Sequence, residues 1–243
     1  MFLAGPAELE RDPIVLAGAE GRHAATVRRL APGERADVTD GRGQVAECVV
    51  AAARPGGLEL AVQARRSQPP PQPRLVVAQA LLKGDRSELA VEIMTEVGVD
   101  EVVPWAAERC VVRWRPGPDD RGGRALERWR ATAVQAAKQS RRAWFPEVSQ
   151  LADTAALARR AAAAQLAVLL DPAASQPLAG LALPSAGEIM LIVGPEGGIT
   201  EAEARALAAA GAASARLGPS VLRGSSAGAV AAALVLSRSA RWA

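Results

Sequence analysis

The sequence predicts an α/β protein in which a mostly parallel sheet covered by helices follows a small β-barrel. Three observations support this. Short strand patterns separated by glycine turns occupy the first part of the chain, and a proline-rich segment, Ser67-Gln68-Pro69-Pro70-Pro71-Gln72-Pro73, follows them. Beyond it, apolar strands alternate with helical patterns, which is typical of parallel sheets. We therefore expect a barrel at 1–68, a linker at 69–73 and an α/β domain at 74–243.

The first domain shows the pattern of β-hairpins. The expected elements, in order, are a short helix over 20–30 and strands over 35–39, 44–53 and 58–64. Asp40-Gly41-Arg42-Gly43 forms the turn between the first two strands, because glycine there accepts the backbone angles of a tight hairpin. The helix would carry His23, Arg28 and Arg29.

The second domain alternates strand and helix throughout. The expected elements, in order, are strand 75–81, helix 86–97, strand 99–105, helix 121–142, strands 165–170 and 188–193, helix 200–211, strand 213–217 and helix 225–238. Gly98 follows the apolar stripe of the first helix and is placed to end it. Thr200 and Glu203 have the spacing of a capping box, which begins a helix.

Arginine provides nearly all of the positive charge, since Lys83 and Lys138 are the only lysines among 29 basic residues. The net charge is only +3, but from Arg109 to Pro146 ten basic residues stand against three acidic ones. Local basicity of this kind is typical of a surface that docks a phosphate-rich partner. A solvated helix face is the alternative, and the charge pattern alone favours neither.

The composition narrows the class of protein. A hydrophobic fraction of 49% and a charged fraction of 23% are ordinary for a globular protein with a sizeable core. Cys48 and Cys110 lie far apart and His23 is the single histidine, which argues against a zinc site and a disulfide framework. No apolar run reaches membrane-spanning length and no secretory leader is recognisable. We expect a cytoplasmic protein with no metal.

The strongest functional signal is a pair of strand-to-helix turns, Gly194-Pro195-Glu196-Gly197-Gly198 and Leu217-Gly218-Pro219-Ser220-Val221-Leu222-Arg223. Asp171-Pro172 ends a third strand. Turns at the carboxyl ends of parallel strands converge on one crevice, where such folds bind ligands. Neither G-x-G-x-x-G nor a G-K-[ST] motif is present. Arg223 is expected to point into the crevice, the alternative being a salt bridge within the fold.

Several segments in a fixed order carry a resemblance to a known family. They are Gly194 to Gly198 with Thr200-Glu201-Ala202-Glu203, Leu217-Gly218-Pro219 with Val221-Leu222-Arg223, Thr95 to Val99, Pro104 with Glu108-Arg109-Cys110, Glu127-Arg128-Trp129 with Ala136, Gln139 and Ser140 through Pro146-Glu147, and His23 to Leu30 with Gly33. In these segments the chain resembles the RsmE-type 16S rRNA (uracil-N3)-methyltransferases of the SPOUT superfamily. The resemblance covers nearly the whole chain.

That resemblance implies a PUA-like β-barrel that binds RNA and a SPOUT domain tied in a trefoil knot, with S-adenosylmethionine held by the knot loops. It implies a homodimer packed through the knot helices, for which Ala227-Gly228-Ala229-Val230-Ala231 would suit close approach. Arg223 would be the catalytic residue. The cofactor would be held by Leu170, Gly194, Glu196, Gly198, Leu217, Gly218 and Leu222. RNA phosphates would be bound by Arg28, Arg29, Arg109, Arg113, Arg128, Arg141 and Arg142.

Two segments depart from the family pattern. Where the family often has Thr-Glu-Thr-Ala after the Leu-Arg pair, this chain has Gly224-Ser225-Ser226-Ala227, so a carboxylate is missing there. Arg141-Arg142-Ala143-Trp144 replaces a frequent Gly-Arg-Asn-Arg. Three alternatives therefore stay open: a SPOUT methyltransferase acting on a ribose 2′-hydroxyl or another base, an RNA-binding protein without catalysis, and, more distantly, an NAD-dependent oxidoreductase.

Overall fold

The computed structural model of the chain describes residues 1–114 and 121–242. Two compact units divide it. One comprises Met1–Pro70 together with Ala137–Phe145, and the other comprises Pro71–Ala136 together with Pro146–Ala243. The break at Pro70 falls within the proline-rich segment. The short segment 137–145, which the sequence pattern placed in the α/β domain, packs with the N-terminal unit.

The N-terminal unit is built on a five-stranded sheet with the order β1-β3-β4-β5-β2. Its strands are β1 (Phe2–Leu3), β2 (Ile14–Leu16), β3 (Val38–Thr39), β4 (Gln44–Arg54) and β5 (Gly57–Ser67). Helices α1 (Pro6–Leu9) and α2 (Gly18–Arg22) and a π-helix over His23–Val27 complete it. The long β4–β5 hairpin is antiparallel, and Ile14, Leu58 and Leu60 are fully buried in its core. Its strands match the predicted 44–53 and 58–64 within a few residues.

The segment 137–145 is held by the turn that the sequence predicted over 40–43. A Cβ atom on Gly43 would lie 2.5 Å from the Gln68 carbonyl oxygen and 2.7 Å from Trp144 Nε1. Trp144 Nε1 donates a hydrogen bond to that same oxygen at 2.9 Å. Since the φ of Gly43 is +99° as well, only glycine fits where the Trp144 ring packs.

The second unit contains a six-stranded sheet in which every pair of neighbouring strands is parallel, with the order β11-β9-β10-β6-β7-β8. Its strands are β6 (Arg74–Ala80), β7 (Glu101–Trp105), β8 (Glu147–Val148), β9 (Leu166–Leu170), β10 (Glu188–Val193) and β11 (Ala213–Ala215). Its helices are α3 (Arg86–Val97), α4 (Arg121–Gln139), α5 (Thr154–Ala163), α6 (Glu201–Ala209) and α7 (Gly224–Ser237), with a 3₁₀ turn over Leu178–Gly180. The central strands β6 and β10 are apolar runs buried on both faces, as parallel sheets require.

Most predicted helix boundaries are confirmed. Helix α3 covers the predicted range and ends at Gly98, whose φ of +118° is left-handed. Thr200 and Glu203 cap α6 reciprocally, with Thr200 N donating to Glu203 Oε2 at 3.0 Å and Glu203 N donating to Thr200 Oγ1 at 3.3 Å. Helix α4 stops at Gln139 rather than at 142, because Arg141 adopts a φ of +56° that a helix does not accept. Positions 115–120 of the predicted basic stretch lie outside the described residues.

A network of ion pairs lies at the amino-terminal edge of the sheet. Glu101 begins β7 and is only 3% exposed. Arg160 of α5 and Arg74 of β6 donate hydrogen bonds to its carboxylate, and Arg160 also pairs with Glu188 at the start of β10. Burial opposes ionisation of Glu101, but the hydrogen bonds from Arg160 and Ser149 outweigh it and hold its pKa below the ordinary value.

Candidate functional site

A cavity of about 590 Å³ opens at the carboxyl edge of the sheet, opposite the charge network. The loops after three neighbouring strands, β9, β10 and β11, surround it together with the first turn of α7. Its lining includes all seven residues predicted to hold a cofactor, namely Leu170, Gly194, Glu196, Gly198, Leu217, Gly218 and Leu222, together with Arg223. Residues that are more than 50 positions apart in the chain thus meet in one crevice of the size that small-molecule sites have.

The loop after β10 has glycine where the fold leaves no room for a side chain. A Cβ on Gly194 would lie 2.6 Å from Ile199 Cγ1, and one on Gly197 would lie 2.9 Å from the Arg109 carbonyl oxygen. Gly198 has a φ of +75°. These three glycines are therefore explained by the packing and backbone angles of the loop itself.

Glu196 connects this loop to the loop that follows β6. Its Oε1 atom accepts a hydrogen bond from Lys83 N at 3.3 Å and lies 3.9 Å from Arg86 Nη1. Because Arg86 also lines the cavity, the pair fixes one wall of it. Sequence reasoning missed Arg86. Loops at the carboxyl ends of neighbouring parallel strands converge on one crevice. The segment Lys83-Gly84-Asp85-Arg86 follows β6, which lies beside β10, so the same argument could have found it.

Gly218 in the loop after β11 differs from the other cavity glycines. A Cβ at this position would meet no atom within 4 Å, and its φ lies outside the left-handed region. Neither packing nor backbone geometry therefore demands glycine there. A glycine that lines a cavity with open space beside it fits a ligand that approaches the backbone closely. On this observation the loop suits the predicted cofactor.

Arg223 stands at the N-cap of α7 and lines the cavity. Its guanidinium makes no salt bridge or hydrogen bond to any residue in the described ranges 1–114 and 121–242. The alternative prediction, in which Arg223 forms a salt bridge within the fold, is therefore not met in the described part of the chain. Gly224 follows, and a Cβ there would lie 2.8 Å from Leu82 Cδ2, so the helix begins tightly packed against the end of β6.

Ser225 completes this turn of helix and also lines the cavity. The residue as a whole is 8% exposed. Sequence reasoning assigned Ser225 no role, because the position lacks the family's carboxylate. A single sequence gives no local signal that this residue lines the cavity.

The predicted RNA-binding arginines occur in both units. Arg28, Arg29 and Arg141 are exposed in the N-terminal unit, and Arg29 shares the left-handed conformation of Arg141 with a φ of +52°. Arg142, in the same unit, is half-buried. A left-handed backbone is strained for a residue with a side chain, and such strain is concentrated at functional sites.

The other three predicted arginines lie in the α/β unit, where all are exposed. Arg109 Nη1 lies 3.4 Å from the Gly197 carbonyl oxygen beside the cavity loop. Arg113 Nη1 donates to the Ala107 carbonyl oxygen at 2.9 Å, and Arg128 Nε donates to Glu88 Oε1 at 3.2 Å. Arg113 and Arg128 therefore have structural partners, and their charge is partly committed to them.

The small residues of α7 have a structural role within one chain. Of the segment 227–231, only Val230 is exposed, at 45%. A Cβ on Gly228 would lie 2.8 Å from Met94 Sδ and 3.3 Å from Val77 Cγ1. The small side chains thus allow α7 to pack against α3 and β6, and this packing accounts for them without a second chain.

Residues 1–114 and 121–242 contain no group of three or more histidine, cysteine, aspartate or glutamate side chains arranged to hold a metal. No helix within the same ranges is both long and apolar enough to cross a membrane.

The parallel sheet, the three strand-end loops and the cavity between them define an α/β protein with a small-molecule site at the carboxyl edge of its sheet. A family model described as an RNA methyltransferase domain matches residues 68–236, and one described as an RNA methyltransferase PUA domain matches residues 16–63. The chain belongs to this family of RNA methyltransferases. The predicted fold class is confirmed as an α/β methyltransferase domain with a parallel sheet, preceded by a PUA-like domain.

The names of proteins similar to this chain are consistent with the family assignment. The chain is 47% identical over 232 residues to ribosomal RNA small subunit methyltransferase E of Mycobacterium bovis, covering 94% of this chain and 87% of that protein. It is 28% identical to the protein of the same name from Synechocystis, covering 96% of this chain and 76% of the relative. The structure of the Neisseria gonorrhoeae ribosomal RNA small subunit methyltransferase E bound to S-adenosyl methionine superposes with a TM-score of 0.76 at 23% identity, covering 89% and 88% of the two chains.

Proposed function

We propose that this protein transfers a methyl group from S-adenosylmethionine to N3 of a uridine in the 16S rRNA of the small ribosomal subunit, in the cytoplasm. The observation that carries the proposal is the cavity in which the three strand-end loops meet Arg223. The name of the Mycobacterium bovis relative, at 47% identity over most of both chains, supports an rRNA of the small subunit as substrate.

The cavity loops hold the cofactor in this proposal. Leu170, Leu217 and Leu222 provide apolar walls, and the backbone at Gly218 admits close approach. Glu196 fixes the loop that follows β6 through Lys83 N. When bound there, S-adenosylmethionine would supply an electrophilic methyl group, and these residues would hold it beside the reacting base.

Arg223 stabilises the reacting base in this proposal. As the N3 proton leaves, negative charge develops on N3 and on the neighbouring carbonyl oxygens of the uracil ring. A guanidinium with no partner in the described structure is available to donate to such an oxygen, and fixed donors aimed at developing charge lower a barrier strongly. Since N3 normally pairs with adenine, the uridine must be unpaired or extruded to reach the cavity.

RNA binding is proposed for both units separately. In the N-terminal unit, which we propose as the RNA-binding domain over about 1–68, Arg28, Arg29, Arg141 and Arg142 would contact phosphates. In the α/β unit, proposed as the methyltransferase domain over about 74–243, Arg109, Arg113 and Arg128 would add phosphate contacts. Each neutralised phosphate makes binding more sensitive to salt.

A homodimer is part of the proposal. Val230 of α7 and Leu89 of α3 are 45% and 44% exposed, on two helices that pack against each other. Apolar side chains of this size on neighbouring helices suit a contact with a second copy. Sedimentation analysis of the wild-type protein and of Val230→Asp tests this: a dimer that becomes a folded monomer supports it, and a wild-type monomer contradicts it.

The first experiment is a calorimetric titration of the protein with S-adenosylmethionine and, separately, with NAD. Saturable binding of the former alone supports the proposal. The second experiment incubates the protein with small subunits that lack the modification and maps the methylated atom. Methylation of N3 supports the proposal, methylation of a ribose 2′-hydroxyl favours the related alternative, and cofactor-independent RNA binding without transfer favours a non-catalytic protein.

A further inference from the structure

Glu203, in the first turn of α6, joins one wall of the cavity to the loop that follows β7. We propose that Glu203 is a positioning residue whose carboxylate holds the segment 194–204 in the shape that binds S-adenosylmethionine before the cofactor arrives. This segment is called the cavity wall below, since six of its residues line the cavity, namely Gly194, Pro195, Glu196, Gly198, Ile199 and Ala204. The identity of the ligand rests on the proposed function, whereas the hydrogen bonds of Glu203 do not depend on it.

The Glu203 carboxylate is buried and bonded on both oxygens. Glu203 is only 5% exposed. Its Oε2 accepts hydrogen bonds from the backbone N and the hydroxyl of Thr200, both at 3.0 Å, and its Oε1 accepts from Glu108 N at 2.8 Å and from Thr154 Oγ1 at 3.0 Å. Burial opposes ionisation, but these hydrogen bonds outweigh it and hold the pKa of Glu203 below its ordinary value. A capping box needs only the bonds with Thr200, so the two bonds on Oε1 do more than cap the helix.

The partners of Oε1 connect the cavity wall to the sheet. Glu108 lies in the loop after β7, and Thr154 is the first residue of α5. Thr154 Oγ1 in turn accepts a hydrogen bond at 3.2 Å from Nε1 of Trp105, the fully buried last residue of β7. A chain of hydrogen bonds therefore runs from the end of β7 through Thr154 to Glu203, and bonds linked in this way strengthen one another in a buried site.

The loop after β7 contacts the cavity wall at a second point. A Cβ on Gly197 would lie 2.9 Å from the Arg109 carbonyl oxygen, so the two backbones are in close contact. The guanidinium of Arg113 hydrogen-bonds to the Glu108 carbonyl oxygen and braces the loop from within. Two consecutive residues of one loop thus hold the wall, Arg109 at Gly197 and Glu108 at Glu203.

The part of the wall between these two anchors includes Gly198 and Ile199, which line the cavity. A wall that keeps its shape without a ligand saves the free energy of ordering it on binding. If the Glu203 anchor is removed, only a fraction of the molecules has the binding-competent wall, and the apparent affinity falls by that fraction. Bound cofactor restores the wall. Loss of the anchor should therefore raise the KM for the cofactor and leave kcat at saturating cofactor unchanged.

Glu203→Gln tests the anchor, with Glu201→Gln as the matched control. Glutamine keeps the size of the side chain but cannot accept from all four donors. Glu201 lies in the same turn of α6 with a side chain that is 91% exposed, so both variants remove one charge from that turn. We expect Glu203→Gln to raise the Kd and the KM for S-adenosylmethionine by about ten- to hundredfold, the loss that corresponds to hydrogen bonds with a charged group. Glu201→Gln should change neither.

A second pair of variants tests the anchor without touching the helix cap. Thr154→Val removes the hydroxyl that donates to Glu203, and Thr154→Ser keeps a hydroxyl there. Thr154→Val should weaken binding of S-adenosylmethionine by about two- to tenfold, as expected for one hydrogen bond, and Thr154→Ser should bind like wild type. If Glu203→Gln does not fold, this pair decides the outcome.

Calorimetry, thermal melting and amide hydrogen exchange together separate positioning from stability. A lower melting temperature with unchanged cofactor affinity in both Glu203→Gln and Thr154→Val would overturn the role, because Glu203 would then serve the fold alone. A lower kcat with an unchanged KM for the cofactor would overturn it as well. If wild-type protein does not bind S-adenosylmethionine, the proposed function fails instead. Exchange in the unliganded protein still tests the anchor, since Glu203→Gln should accelerate it across 194–204 and Glu201→Gln should not; equal exchange in the two variants would contradict the anchor.

Discussion

The Gly218→Ala substitution tests whether glycine at this position is required for folding or for cofactor binding. The substitution adds one methyl group at a residue that lines the cavity. Apart from its two chain neighbours, that methyl would meet no protein atom within 4 Å, and the φ of Gly218 lies outside the left-handed region. We therefore expect the fold to accept the change and the cofactor to be obstructed by it.

The magnitudes follow from the same geometry. Without a clash or a left-handed φ, the free energy of unfolding should be unchanged or higher by about 0.4–1 kcal/mol, because alanine restricts the unfolded chain. A methyl group forced into a closely packed contact costs about 1–3 kcal/mol. At 1.4 kcal/mol per tenfold, affinity for S-adenosylmethionine should fall by roughly 5- to 150-fold.

Calorimetry and urea denaturation together test this prediction. Gly211→Ala is the control, since Gly211 also has no atom within 4 Å of a Cβ but has a φ of +89° and does not line the cavity. It should lose about 1–2 kcal/mol of stability, the cost of a left-handed residue with a side chain, and bind the cofactor normally. A Gly218→Ala variant that binds S-adenosylmethionine as tightly as wild type would refute the reasoning.

Three other predictions test the site, the RNA surface and the fold. Arg223→Ala should keep cofactor affinity and stability but lower kcat by about 10²–10³-fold, because one donor to the developing negative charge is lost. Single-turnover methylation measures the effect, and full activity would remove Arg223 from the mechanism. Arg141→Ala and Arg142→Ala should each reduce the slope of log affinity against log salt by about 0.7–0.9 in filter binding to rRNA. Arg205 is an exposed residue of α6 paired with Glu201, and Arg205→Ala should leave the slope unchanged. Unchanged slopes in the first two variants would place the RNA surface elsewhere. Glu101→Gln should lower the free energy of unfolding by about 1.5–3 kcal/mol at pH 7, because Arg160 and Arg74 lose charge-assisted hydrogen bonds to a buried carboxylate, although Arg160 stays paired with Glu188. Since the folded-state pKa of Glu101 lies below its ordinary value, its contribution is present above about pH 4.3 and is lost as the pH falls through the folded-state pKa; a difference between wild type and variant that persists at pH 2 would contradict the assignment.

Local patterns were sufficient for most of the fold. Helix α3 and the cap of α6 could be predicted because both ends are marked by residues within the element, Gly98 in one case and Thr200 with Glu203 in the other. Helix α5 was not predicted. It is an alanine-rich segment in which Leu157 and Ala161 are the only buried residues, so its apolar stripe is too weak to show periodicity, although Asp153 caps it through Ala156 N at 2.7 Å.

Long-range packing was beyond the reach of these patterns. The segment 137–145 reads as the continuation of a long helix, and its place in the N-terminal unit depends on the fit of Trp144 against Gly43 and Gln68. Those partners are distant in sequence, and no local feature of either segment indicates the other. The left-handed Arg141 that ends the helix is a consequence of this packing rather than a signal of it.

At the candidate site, too, the structure distinguishes residues that the sequence does not, and there the difference bears on function. The glycines of the strand-end loops all read alike in the sequence, but in the structure Gly194, Gly197 and Gly198 are required by their own loop whereas Gly218 is not. A residue type that the fold does not require is the better evidence for a ligand, because only the ligand then explains it. Gly218 therefore carries more information about ligand binding in the cavity than the glycine-rich turn after β10.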